Sequence, residues 1–91
     1  MVNVVVLMGK LLDTDITNKN VRLLEVIEDY KNNSGTLSRD VIKIINWNKT
    51  NKGELFSLNS ESLVMIKGRL EIIENELFVI CETITYLGKN G

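Results

Sequence analysis

The chain has 91 residues, 44% hydrophobic and 25% charged, with 11 Lys and Arg against 12 Asp and Glu and no His. A chain this short encloses one hydrophobic core, so a single domain over residues 1–91 is expected, and the mixture of apolar residues with scattered charge excludes an intrinsically disordered chain. A net charge of −1 excludes a protein that attracts polyanions by bulk charge, and leaves only a local strip of cations for that purpose.

In chain order, Asn3 to Leu12 (NVVVLMGKLL) reads as a first strand, too apolar for simple alternation. Gly9 within it marks a bulge or a sharp bend. Polar, turn-forming residues Asp13 to Asn20 lead to a second strand, Val21 to Glu28. Leu23, Leu24 and Ile27 also fit helical spacing, and the strand is preferred because Asn-rich turns bracket a short run. Tyr30 to Ser38 (YKNNSGTLS) reads as an exposed hairpin loop, and Arg39 to Trp47 as a third strand. Between Asn48 and Ser62 the chain is too long for a tight turn. Leu55, Phe56 and Leu58 there predict one short helix or ordered loop that plugs an end of the fold. Ser62 to Ile73 and Glu76 to Leu87 form a last hairpin about Glu74 and Asn75, with Gly68 inside its first strand. Three strands, a connection with at most one short helix, then two strands: this is the order of an all-β, five-stranded oligonucleotide/oligosaccharide-binding (OB) barrel.

Three segments carry a resemblance. Asn3 to Leu11 reads NVVVLMGKL, Leu63 to Leu70 reads LVMIKGRL, and Ile84 to Gly88 reads ITYLG. In this order and at these intervals they resemble the bacterial single-stranded DNA-binding protein family, across nearly the whole chain. The resemblance implies an OB barrel without catalytic chemistry, acting in DNA replication, repair or recombination. It also implies a stacking aromatic after the second strand, where Tyr30 sits, and two more along the third, where Arg39 and Ile45 stand instead. The family's long basic loop between the last two strands is replaced by the minimal turn at Glu74 and Asn75. Its flexible acidic tail has no counterpart before Gly91. The plan is therefore expected to be closer to the short primosomal replication protein of this fold, or to phage and plasmid versions.

Strand parity gives a candidate binding face. Odd positions of the third strand, Arg39, Val41, Lys43, Ile45 and Trp47, share one side, while Ile42 and Ile44 face the core. Lys67 and Arg69 stand opposite Val64, Ile66, Leu70 and Ile72 in the fourth strand. Lys10 follows Gly9, and Arg22 opens the second strand. The candidate nucleic-acid-binding residues are thus Lys10, Arg22, Tyr30, Arg39, Lys43, Trp47, Lys67 and Arg69, in a chemistry of stacking on flat rings and cations tracking phosphates. Phe56 and Phe78 are expected in the core.

Catalysis has little to work with. The commonest general base and metal ligand, His, is missing. Cys81 in the apolar run FVICET reads as an inert core thiol. The acid pairs Asp13 and Asp15, and Glu28 and Asp29, lack calcium-loop spacing and read as turn and surface residues. No enzyme, cofactor or metal is expected. A single cysteine excludes an internal disulfide, and the apolar run Val4 to Met8 is too short for a signal segment or a membrane span. A cytoplasmic protein is expected, with no membrane partner. The expected partner is single-stranded DNA or RNA, with replication proteins also in view. A homodimer or homotetramer through the apolar first strand would cover an open edge and raise effective concentration. The rival reading is a protein-interaction module that kept the barrel and lost its DNA face.

Overall fold

The computed structural model describes residues 3–31 and 37–89, with the backbone alone at 27–31 and 37–39. Its elements are β1 (Val5–Thr14), β2 (Arg22–Lys31), β3 (Leu37–Asn46), α1 (Glu54–Ser57), β4 (Ser62–Ile73) and β5 (Glu76–Lys89). The strands close into a barrel in the order β1-β2-β3-β5-β4. All pairings are antiparallel except β3 with β5, which run parallel from Ile44 opposite Val79 to Asn46 opposite Cys81. This is the closed five-stranded OB barrel that the strand order predicts, with the short helix in the expected connection. β2 and β3 extend further into the predicted hairpin loop, to Lys31 opposite Leu37. Tyr30 therefore belongs to a strand rather than a loop, and positions 32–36 of that loop lie outside the described residues.

One bent strand serves two neighbours. Val5 to Lys10 pair with β4, and from Lys10 onward β1 pairs with β2. Gly9 stands at the switch, where an added Cβ would lie 2.3 Å from the Glu25 carbonyl oxygen. At Gly68 the approach is closer still, 1.7 Å from the Ile80 carbonyl oxygen, so neither position accepts a side chain without moving backbone. Beside Gly68 the pairing slips: Lys67 faces Thr83 and Gly68 faces Cys81, which leaves Glu82 as the extra residue of a bulge in β5. The turn between β4 and β5 places both Glu74 and Asn75 at positive φ, as a two-residue hairpin requires.

The barrel interior is filled by Leu11, Leu24, Ile44, Val64, Ile66, Val79 and Cys81, and Leu55 of α1 closes one end. Phe56 packs against this core, as expected. A second cluster, Val21, Ile45, Phe78 and Ile80, is buried on the outer side of β3 and β5. Leu23 and Ile73 flank it, and the segment before β2 is held over it by a hydrogen bond from the Asp15 N–H to the Val21 carbonyl at 2.9 Å. The alternation of β3 is as read from the sequence, but Ile45 on its outer side is covered. Val4, just before β1, and Val6 and Met8 within it remain exposed.

Candidate functional site

Trp47 follows the last residue of β3 and is 71% exposed. It lines a crevice of about 290 Å³ with Glu54 of α1 and Glu82 and Thr83 of β5. A large aromatic left this open loses the burial that would otherwise stabilise the fold, and offers a flat face to a ligand. The parallel pairing of Asn46 with Cys81 brings the end of β3 beside the bulge of β5, which sets this geometry. Two cations adjoin it from β4: Lys67 stands opposite Thr83, and the Arg69 guanidinium lies 3.6 Å from the Glu82 carboxylate. Both side chains are exposed. Trp47, Lys67 and Arg69, distant in sequence, are thus gathered round one crevice.

The other candidates lie elsewhere. Arg22, expected on the outer face, is buried at 4% exposure. Its Nε donates to the Leu12 carbonyl at 2.6 Å, and a terminal nitrogen donates to the carbonyls of Leu55 at 3.2 Å and Phe56 at 3.5 Å. It ties the end of β1 to α1, because opening β2 beside the plug places its side chain under the helix. Burial works against its charge, and nearby Asp13 partly offsets this. Lys10 pairs with Glu25 at 3.7 Å. Lys43 is hydrogen-bonded to Glu76, lies 3.9 Å from Asp15, and holds its proton more tightly chiefly because of Glu76. These partners dilute the positive face that parity drew. The side chains of Tyr30 and Arg39 lie outside the described residues.

Sequence reasoning missed Glu54, Glu82 and Thr83 as lining residues. The polar break after FVIC was a usable signal for the last two, since it interrupts an apolar strand where β5 leaves the core. Glu54 had none, because the position of α1 depends on the barrel end it caps. The Cys81 thiol beside this crevice is buried, and burial first, then the charges of Glu54 and Glu82, push it up to about 11. Among the described residues no group of three or more His, Cys, Asp or Glu converges as a metal site, and no helix is long and apolar enough to cross a membrane.

No family profile matches the chain, and no curated protein sequence matches it. Among solved structures the chain is similar to the dimeric N-terminal domain of PriB protein from Thermoanaerobacter tencongensis. The identity is 22% and the TM-score 0.51, over 96% of this chain and 98% of that one. At that identity the likeness speaks for the fold, an OB barrel running through nearly the whole of both chains.

Proposed function

We propose that this domain binds single-stranded nucleic acid, with Trp47 as the stacking platform and Lys67 and Arg69 as the cations that follow the phosphates. The observation that carries the reading is the open indole of Trp47 beside those two cations on an OB barrel. Stacking on an aromatic contributes roughly 1–3 kcal/mol per base and tolerates any base, because every base has a π-face. Tyr30 and Arg39, near the far end of the β2–β3 pair, would extend the path, and Lys10 and Lys43, like Arg69 beside Glu82, would meet phosphate by exchanging their acid partners for it. A role in replication, repair or recombination follows from the family resemblance.

The same reading includes a homodimer through β1. Val4, Val6 and Met8 form an exposed apolar row, and Met65 of β4 extends it opposite Met8. The similar PriB domain is dimeric. Two copies would double the stacking sites, which matters when each offers few. Val6→Asp should shift the protein to monomer in sedimentation at concentrations where the unchanged chain is dimeric. A chain that is monomeric throughout would remove the dimer.

The test of binding is a titration with oligo-dT at low and high salt. Trp47 is the only tryptophan, so its fluorescence reports on this site alone. Quenching that weakens with salt is expected, with a slope of log K against log salt of about −1.4 for two neutralised phosphates. A flat response at micromolar protein in low salt would favour the rival reading, a protein-interaction module. That reading draws on the pairing of Lys10 and Lys43 with acids and on the exposed β1 row.

A further inference from the structure

We propose that the Trp47 crevice seats one base of the bound strand and selects bases that carry an amino group, cytosine above thymine. This rests on the single-strand reading and adds to it a choice among bases.

The crevice, at about 290 Å³, is at the small end of ligand pockets and suits one flat ring rather than an extended ligand. Its polar lining holds two carboxylates beside the Asn46 amide and the Thr83 hydroxyl, which can turn to donate or accept. Glu54 comes from α1 and Glu82 from β5. Both residues line the same crevice as Cys81, and after burial their charges are what push that thiol up. Asn46 adds no free amide hydrogen: its Nδ2 donates to the Thr50 carbonyl at 3.1 Å and the Lys52 carbonyl at 2.6 Å. No described Lys or Arg lines the crevice. The cations stand outside it, Arg69 against Glu82 and Lys67 opposite Thr83. A strand would therefore lie with its base turned in toward acceptors and its phosphates turned out toward cations.

Cytosine and thymine are rings of the same size that differ in what they present. Cytosine carries the N4 amino group, whose two hydrogens can serve both carboxylates, whereas thymine's one edge donor, N3–H, is flanked by the O2 and O4 carbonyls, whose lone pairs a carboxylate repels. Stacking on Trp47 is nearly indifferent to this exchange, so the carboxylates decide it. The Arg69 guanidinium also restrains Glu82 and moderates its repulsion of phosphate.

The experiment compares oligo-dC with oligo-dT of equal length by Trp47 fluorescence, at mildly alkaline pH where cytosine is unprotonated. Oligo-dC should bind about fivefold tighter or more, the range of one charge-assisted hydrogen bond at a partly open site. Glu54→Gln and Glu82→Gln should each bring the ratio toward one, and Glu82→Gln should raise affinity for both strands by freeing Arg69. Equal affinity of the unchanged protein for the two strands overturns the base choice and leaves single-strand binding intact. A preference for oligo-dC that survives both glutamine variants also overturns it. Quenching by neither strand sinks the single-strand reading and this inference together, and quenching by a tri-arginine peptide instead would make the crevice a receptor for a basic protein side chain.

Discussion

Arg22 and Arg69 are both strand residues flanked by apolar positions, yet they end in opposite surroundings. Arg22 opens β2 beside the helical plug and gives its hydrogens to the carbonyls of Leu12, Leu55 and Phe56 under nearly complete burial. Arg69 stands next to the β5 bulge, exposed, with Glu82 within 4 Å. One guanidinium closes the barrel end, and the other borders an open crevice. Alternation along a strand tells which side a residue takes, whereas the element laid over that side decides whether its charge is available to a ligand.

The largest expected effect breaks the closed end. Arg22→Met keeps a similar length and removes the donors, leaving the Leu55 carbonyl without this partner beside the core. A loss of about 3 kcal/mol of stability is expected, measured by urea unfolding. The folded fraction should bind oligo-dT as the unchanged protein does. Loss of affinity with stability intact would reverse the assignment and return Arg22 to the binding face.

At the open end the balance should invert. Trp47→Ala removes an indole that contributes little burial, so stability should move by no more than about 0.5 kcal/mol. Binding should weaken by about 1–3 kcal/mol, the contribution of one stacked base. With the intrinsic fluorescence signal gone, a fluorescein-labelled strand followed by anisotropy provides the readout. Unchanged affinity would remove the crevice from the site, and a large loss of stability would make Trp47 a cover for the core.

Much of this architecture was legible in the chain itself. β4 is found at Ser62–Ile73 as read, and the turn stands at Glu74 and Asn75. Gly9 inside its apolar run pointed to a bulge or a sharp bend, and it stands where β1 changes partners, against the Glu25 carbonyl. The candidate site was less legible, for reasons that individual residues make clear. Ile45 has the parity of an outer residue, but Val21, 24 positions earlier, is folded over the same cluster. Lys43 meets Glu76 only because β5 runs beside β3, a parallel pairing that no local pattern encodes. Trp47 was visible as a stacking candidate that could equally have covered the core at the strand end, whereas its neighbours Glu54 and Glu82 became neighbours through the seating of α1 and a single-residue slip at Lys67 and Gly68.

The finest test of the contrast between the two arginines is Arg69→Gln. Its ion pair with Glu82 joins two exposed side chains, so solvent screens it and stability should stay within about 0.5 kcal/mol of the unchanged protein. Binding should be altered in a specific manner. Removal of one phosphate contact should flatten the slope of log K against log salt by about 0.7 for a single strand. The loss in affinity should then shrink as salt rises, because fewer counterions are released on binding. Arg22→Met, by contrast, should leave that slope untouched in the folded fraction. If Arg69→Gln lowers affinity equally at every salt concentration, the guanidinium acts by holding Glu82 in place at the crevice and not by meeting a phosphate.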